Sequence, residues 1–279
     1  MTFKILALGG GGTKGVLHIG AVRFLEEKYG NLQEKFTGGF YGCSVGSIFA
    51  IGVAFGLNAE AMTRMAMRFS SFGGILLNDL SLDKLNNSVN NKGLFDLSAL
   101  EEFIADAFDT EGINLRGKKI SDAPRPLYIC ATNITTHVIT VFKGDIPILS
   151  AMGASCCIPI MFCPKIINNS AYIDGGYFTD TIMNFVPVVD HSTTLSISII
   201  HDNPKLTPAN LPKISGIKYL YALYMVSCLY ARKLNKLSNN IELHHNLASG
   251  ISDVGETERA GMIIQGYELT RDFFAKCSS

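Results

Sequence analysis

The first part of the chain alternates short apolar runs with segments of helical periodicity. Residues 3–8 and 36–41 are apolar runs of strand length, and a helix-like segment follows each of them. In the segment 15–29, apolar side chains recur at every third position, a spacing close to one helical turn. The pattern therefore predicts a strand, a helix, a second strand and a buried helix over residues 45–57.

The rest of the chain continues this alternation. Ser98 followed by Glu101 resembles a capping box, which predicts the start of a helix. A stretch rich in Asn, Gly and Ser over residues 72–93 predicts a long loop. The further predicted helices cover residues 60–69, 98–108 and 256–276, and the further predicted strands cover 127–131, 138–142 and 195–200.

Strands that alternate with helices favour one fold class. They predict an α/β fold whose central sheet is mostly parallel and is flanked by helices on both faces. The 279 residues fit a single domain, and no Pro-, Gly- or Ser-rich linker divides them. We expect one domain over residues 1–279, with a core at about 3–201 that carries the motifs and a helical C-terminal part at about 202–279.

Composition limits the classes of function. Lys plus Arg and Asp plus Glu number 24 each, so the net charge is zero and gives no electrostatic sign of nucleic-acid binding. The mean hydropathy of +0.23 is high, which favours an apolar substrate or a transient contact with a membrane surface. The seven cysteines show no zinc-type spacing and indicate reduced thiols in a reducing compartment. No pattern for a metal site or a cofactor is evident, so we expect neither.

Two apolar stretches bear on location. The N-terminal residues predict a strand and no signal peptide, so we expect an intracellular, cytoplasmic protein at most peripheral to a membrane. The uncharged stretch 36–59 is long enough to span a bilayer, but its glycines favour a strand and a turn. The run 219–231 has two interpretations, a buried helix, which we favour, and an interfacial or dimerising helix. The oligomeric state stays open.

The motif GGGGTKG, residues 9–15, follows the first predicted strand and begins the first predicted helix. Free backbone N–H groups in such a position favour an anion. A nucleotide-triphosphate loop needs Ser or Thr after its Lys, whereas Gly15 follows Lys14 here. The dinucleotide pattern fits as Gly10, Gly12 and Gly15, but the second strand lacks the acidic residue that would bind a ribose.

A serine stands in place of that acidic residue. Gly42-x-Ser44-x-Gly46 has the pattern of a nucleophile elbow, in which small residues surround a serine on a sharp strand-to-helix turn. An activated serine needs a base. His201 after a predicted strand is one candidate, in a triad with Asp174; Asp174 alone, before Gly175 and Gly176, is another.

Together, GGGGTKG, GCSVG and DGG in this order resemble the patatin-like phospholipase family. The segments KGLFDLSALEEFI, PLYICATNITTHVITVF and ASCCIPIMFCPKIINNSAYIDGG are also similar to family segments, so the resemblance covers about residues 3–180. Asp180-Thr-Ile182 departs from the Asn-x-Pro that often follows DGG in the family, which puts the shape of that loop in doubt.

The resemblance implies a three-layer patatin-like fold and a lipid acyl hydrolase of the phospholipase A or lysophospholipase type. Ser44 would be the nucleophile and Asp174 its base, without a histidine. The N–H groups of Gly10, Gly11 and Gly12 would form an oxyanion hole, and Lys14 would either bind a lipid headgroup or brace the loop. Gly15, Gly42, Gly46, Gly175 and Gly176 would support these motifs. A Ser–His–Asp esterase, a dinucleotide-dependent oxidoreductase and a non-catalytic lipid-binding protein are the rivals.

Overall fold

The computed structural model describes residues 2–68, 92–179, 181–200, 207–209, 211–214, 219, 222–223, 225–226, 239–246 and 254–277. Three features predicted from the sequence lie wholly or mostly outside these residues. They are the loop 72–93, the apolar run 219–231 and the candidate base His201.

The described residues form an α/β fold with a mostly parallel central sheet, as predicted. Ten strands are β1 Ile5–Leu8, β2 Gly39–Cys43, β3 Gly93–Phe95, β4 Leu127–Asn133, β5 Val138–Phe142, β6 Ile160–Phe162, β7 Lys165–Ile167, β8 Ser170–Asp174, β9 Thr194–Ile200 and β10 Asn240–His244. The α-helices are α1 Leu17–Tyr29, α2 Leu32–Lys35, α3 Val45–Ala54, α4 Ala59–Arg68, α5 Ser98–Asp109, α6 Ile148–Ser155 and α7 Glu256–Cys277. Short 3₁₀ helices include Gly12–Val16 and Ile182–Phe185.

The central sheet has the strand order β10-β9-β1-β2-β4-β8-β7, with β5 also paired to β4. The strands from β10 to β4 run parallel, whereas β5, β7 and β8 add antiparallel pairs. Strand β1 is buried along its whole length. This burial explains why its sequence is continuously apolar, because a central parallel strand is covered on both faces.

The pleat of the sheet divides its side chains between two cores. Leu6, Leu8 and Phe40 belong to the larger core, which includes residues of helices α1, α3, α4, α5, α6 and α7. Ile5, Ala7 and Tyr41 belong to the smaller core on the other face, where the 3₁₀ helix Ile182–Phe185 packs. Successive residues of one strand thus face opposite cores, as strand geometry requires.

Two strand ends meet on one side of β4. Cys43, the last residue of β2, pairs with Cys130, and Asp174, the last residue of β8, pairs with the adjacent Ala131. Strand β5 pairs with these same two residues on the opposite side of β4. Because β2 runs parallel to β4 and β8 runs antiparallel, their carboxyl ends meet head to head. Ser44, which follows Cys43, is therefore brought close to Asp174, which ends β8.

The structure corrects several predicted bounds. The second strand is Gly39–Cys43 and not 36–41, because Phe36 ends α2 and a turn precedes Gly39. Gly39 has φ 102°, and a Cβ there would lie 2.4 Å from the Pro126 carbonyl oxygen, so the strand begins at a position that requires glycine. The uncharged stretch 36–59 contains β2 and α3, and none of the described helices is long and apolar enough to cross a membrane.

The predicted capping box at Ser98 is wrong. Leu97 is the N-cap of α5 and makes no side-chain cap, while the Asp96 carboxylate accepts the Ser98 N–H at 2.5 Å. The C-terminal part is also not purely helical, since β10 extends the sheet beside β9. Side chains of β10 alternate between buried and exposed, which is the pattern of an edge strand with a single buried face.

Candidate active site

Ser44 lies in the turn between β2 and α3 with a backbone that serine rarely adopts. Its φ is 53° and its ψ is −134°, so it occupies a strained conformation with positive φ. The side chain is 6% exposed at the N-terminus of α3. Such strain persists only where the surrounding structure over-determines it. The contacts of its neighbours provide that constraint.

The two glycines of the motif make the turn sterically feasible. A Cβ at Gly42 would lie 2.4 Å from the Ser47 Cα, and a Cβ at Gly46 would lie 2.2 Å from the Leu8 carbonyl oxygen. Both distances are shorter than any real Cβ contact with backbone. Helix α3 can therefore leave β2 at this sharp angle, close against β1, only if both positions lack a side chain.

Ser155 supports the backbone of Ser44 from outside the motif. Its hydroxyl oxygen accepts the Ser44 N–H at 2.8 Å, and its own proton is donated to the Cys130 carbonyl at 2.6 Å. Ser155 is fully buried at the end of α6. Sequence reasoning did not single out this residue, although it lies in the segment ASCCIPIMF that carries part of the family resemblance.

The glycine loop passes beside Ser44. A Cβ at Gly10 would lie 3.1 Å from the Ser44 Cβ, and a Cβ at Gly11 would lie 2.5 Å from the Ile199 side chain. Among the described residues, the N–H groups of Gly10, Gly11 and Gly12 donate no hydrogen bond to a backbone acceptor. Gly15 continues the close packing, since a Cβ there would lie 2.4 Å from the Val45 side chain. A side chain at Gly10 would fill the space next to Ser44, whereas side chains at Gly11 and Gly15 would clash with other parts of the core.

Lys14 is directed into the protein. The side chain is 1% exposed, and its Nζ donates to the His245 carbonyl oxygen at 2.9 Å. His245 directly follows the edge strand β10. The buried ammonium therefore ties the glycine loop to the C-terminal part of the sheet.

Asp174 is buried at the end of β8. Its side chain is 2% exposed, its N–H donates to the Cys157 carbonyl at 2.8 Å, and Oδ1 accepts the Gly176 N–H at 2.8 Å. Burial raises the pKa of Asp174 from its ordinary value of 3.8 to about 6, and the nearby Ser44 side chain and the Gly176 N–H oppose that rise. A carboxyl with a raised pKa is a stronger base toward a nearby hydroxyl.

Gly175 lets the two strand ends approach. A Cβ at this position would lie 2.6 Å from the Cys43 Sγ and 2.8 Å from the Cys130 carbonyl oxygen. The thiols of Cys156 and Cys157 lie near enough to Asp174 to be influenced by its charge, and burial raises the pKa of both thiols. Neutral thiols around the carboxyl leave it poorly solvated without adding charge.

Two of the described histidines direct a ring nitrogen to a backbone carbonyl oxygen and not to Ser44. His18 is fully buried and its Nε2 contacts the Gly9 carbonyl oxygen at 2.8 Å, and His191 contacts the Val186 carbonyl through Nε2 at 3.0 Å. Within the described residues, no cluster of three His, Cys, Asp or Glu side chains could hold a metal ion. The Ser44 side chain lies close enough to the Asp174 carboxyl to influence its pKa.

The fold and this site define a class of α/β protein with a serine on a strand-to-helix turn, a glycine-rich loop beside it and a buried aspartate. The chain belongs to the patatin-like phospholipase family, whose profile matches residues 6–189. It is similar to the curated protein "Probable lipid hydrolase 463L" of Invertebrate iridescent virus 6, at 29% identity over 194 residues. The match covers 64% of this chain and 61% of that protein, so less than two thirds of the relative is represented.

Two solved structures have a similar fold. VipD from Legionella pneumophila matches with a TM-score of 0.53 and 14% identity, covering 99% of this chain and 67% of that one. ExoU, in its heterodimeric complex with SpcU from the type III secretion system of Pseudomonas aeruginosa, matches with a TM-score of 0.50 and 17% identity. That match covers 99% of this chain and 52% of ExoU. At these identities the likeness concerns the fold alone.

Proposed function

We propose that this chain is a lipid acyl hydrolase that cleaves acyl esters with a Ser44–Asp174 dyad. The observation that carries the proposal is the buried Asp174 carboxyl, whose pKa is raised to about 6 by burial, a rise that the nearby Ser44 side chain opposes. A free aspartate is a feeble base at neutral pH, whereas the pKa of Asp174 is closer to neutral pH and makes it a stronger base. No histidine is needed to complete the pair.

Acylation begins when the Ser44 oxygen attacks the carbonyl carbon of the ester and its proton passes to Asp174. The carbonyl oxygen then carries the negative charge of a tetrahedral intermediate. The N–H groups of Gly10, Gly11 and Gly12, which donate to no backbone acceptor among the described residues, are available to bind that oxygen. Collapse of the intermediate releases the alcohol, which takes the proton from Asp174 and leaves an acyl-serine.

Deacylation uses the same groups in reverse. A water molecule donates its proton to Asp174 and attacks the acyl-serine carbonyl. The second oxyanion forms at the same glycine loop, and its collapse returns the proton to the Ser44 oxygen and releases the fatty acid. Every proton is accounted for by one carboxyl, so the reaction requires no cofactor and no metal.

A lipid is the substrate class that we favour. The family description is phospholipase, and the viral relative carries the name of a lipid hydrolase. The high mean hydropathy of the chain is consistent with transient contact with a lipid surface. Phospholipids and related glycerolipid esters are therefore the proposed substrates, in an intracellular setting.

Lys14 has a structural role in this proposal. A headgroup ligand would require an accessible ammonium, whereas the Lys14 side chain is 1% exposed and bonds the His245 carbonyl. Of the two roles expected from the sequence, bracing of the loop fits these contacts better.

A fluorophosphonate probe tests the nucleophile. We expect covalent labelling of the wild-type protein and no labelling of Ser44→Ala, with mass spectrometry locating the adduct on Ser44. Separate replacement of each of the five histidines other than His18, which contacts the glycine loop, should leave labelling measurable, because a dyad uses no histidine as its base. If one of these His variants is folded but is not labelled, and Asp174→Asn is not labelled either, the result would favour a Ser–His–Asp triad instead.

Fatty-acid release from phosphatidylcholine vesicles tests the substrate class. We expect release by the wild-type protein and none by Ser44→Ala. Labelling by the probe together with hydrolysis of a soluble p-nitrophenyl ester, but no release from vesicles, would retain the dyad and refute the phospholipid substrate.

A further inference from the structure

His18 makes a single, well-placed contact beneath the glycine loop. The side chain is fully buried on helix α1, and its Nε2 lies 2.8 Å from the Gly9 carbonyl oxygen. A carbonyl oxygen can only accept, so the ring must carry its proton on Nε2. His18 therefore donates a hydrogen bond to the peptide that joins Gly9 to Gly10.

The second ring nitrogen of His18, Nδ1, is buried in an unfavourable way. Among the described residues, the His18 Nδ1 has no hydrogen-bond partner. Burial also lowers the pKa of His18 to about 4, so the ring is neutral at physiological pH. A buried polar atom without a partner is destabilising, and a Phe or Leu would avoid that loss. The hydrogen bond to Gly9 is the feature that an apolar side chain could not reproduce.

The Gly9 contact sets the direction of the next N–H group. A trans peptide is planar, so the Gly10 N–H points opposite to the Gly9 carbonyl. The carbonyl is directed to His18 on α1, and the Gly10 N–H is therefore directed away from that helix. Gly10 lies beside Ser44, with 3.1 Å between its Cβ position and the Ser44 Cβ.

The peptide needs such a constraint because both of its residues are glycines. Glycine adopts positive and negative φ about equally readily, so a Gly–Gly peptide can rotate with little steric resistance. The Gly9 N–H is held by the Ile197 carbonyl at 2.9 Å, which continues the pairing of β1 with β9. The bond from His18 holds the opposite end of the residue and fixes the plane of the following peptide.

We propose that His18 is a positioning residue that holds the Gly9–Gly10 peptide so that the Gly10 N–H is aimed at the oxyanion formed on Ser44. The inference rests on the proposed function, because it assigns a role in the same reaction. His18 touches neither the substrate nor the reacting atoms. It acts through the orientation of one backbone donor.

The test compares three variants by steady-state hydrolysis of a soluble p-nitrophenyl ester. His18→Phe removes the donor, and we expect kcat to fall by about 10²–10³, as for loss of one oxyanion donor, with KM changed by less than about threefold. His18→Gln places an amide N–H near the position of Nε2 and should recover at least about tenfold of the lost kcat. His191→Phe, which removes another Nε2 contact to a backbone carbonyl away from the loop, should leave kcat unchanged.

Circular dichroism and thermal unfolding verify that each variant is folded before its kinetics are compared. An unchanged kcat in folded His18→Phe overturns the positioning role. Equal losses in His18→Phe and His18→Gln also overturn it, because a packing defect would not distinguish the two. If His18→Phe fails to fold, the comparison of His18→Gln with a folded His18→Leu decides by the same criterion.

Measurements on the wild-type protein distinguish a failure of the proposed function from a failure of the role of His18. Wild-type protein that neither hydrolyses the ester nor reacts with a fluorophosphonate would refute the Ser44–Asp174 dyad itself. Active wild-type protein with an unaffected His18→Phe variant would refute only the role of His18.

Discussion

The turns that carry Ser44 and Asp174 are built in different ways. The Ser44 turn depends on residues close in sequence, since Gly42 and Gly46 provide the room that the sharp turn needs. The Asp174 turn depends on residues distant in sequence, since the Cys157 carbonyl accepts the Asp174 N–H and the Cys130 carbonyl lies against Gly175. The comparison indicates that the room for the nucleophile turn is provided by its own motif, with Ser155 as support from α6, whereas the pKa of the base is a property of the assembled core.

Asp174→Asn should cause the largest loss, because it removes the base and leaves the nucleophile turn intact. We expect kcat/KM for a p-nitrophenyl ester to fall by at least about 10³-fold. In the wild-type protein, kcat/KM should rise about tenfold per pH unit up to about pH 6 and then level off, since only the ionised carboxyl accepts the proton. A flat profile between pH 5 and 7 would contradict the assignment of Asp174 as the base.

Gly46→Ala should break the nucleophile turn itself. The new Cβ would meet the backbone of Leu8, so we expect the free energy of unfolding to fall by about 3 kcal/mol or more, measured by urea denaturation. Gly261→Ala is the matched control, because a Cβ at that helical position meets nothing within 4 Å. The control should be neutral or should stabilise the protein by up to about 1 kcal/mol. Similar losses in both variants would contradict the steric argument.

The buried base should destabilise the protein at neutral pH. The folded pKa of Asp174, about 6, lies above the value of 3.8 expected for an unfolded chain, so folding favours the protonated form. The stability that this preference contributes is complete below about pH 3.8 and is lost as pH rises through about 6. Asp174→Asn does not titrate, so we expect it to be more stable than the wild-type protein above pH 6, by up to about 3 kcal/mol. If the difference in the free energy of unfolding between Asp174→Asn and the wild-type protein were the same at pH 5 and at pH 7, the raised pKa would be contradicted.

Ser155→Ala should have the smallest effect, because it loosens the nucleophile turn without removing a reacting group. It removes two hydrogen bonds and leaves the Ser44 N–H and the Cys130 carbonyl without that partner. We expect kcat to fall by about tenfold, with partial recovery in Ser155→Thr, which retains the hydroxyl. Ser121→Ala, which loses an exposed hydroxyl contact at 3.4 Å, is the control. An unaltered kcat in Ser155→Ala would show that the glycines alone hold the turn.

Much of the fold could be predicted from short-range patterns. The strand β1, the helices α1 and α3 and the strands β4 and β9 follow from apolar periodicity over a few residues, and their bounds differ from the predicted ones by one to three residues. The strand β10 was not predicted, although its five residues alternate as in a strand with one buried face and place Glu242 and His244 on the exposed side. Its pairing with β9 depends on residues 44 positions away, and no local pattern contains that information.

The sequence by itself determined which residues could carry the chemistry, because a glycine loop after a strand and a serine between glycines are requirements of local backbone geometry. The family resemblance also indicated Asp174 as the base, whereas the residues alone left His201 as a second candidate for the base. Only the tertiary structure decided that the carboxyl ends of β2 and β8 meet on one side of β4. The same packing placed Ser155 against the backbone of Ser44 and His18 against the Gly9 carbonyl of the glycine loop. Burial raises the pKa of Asp174, and that burial depends on the whole core.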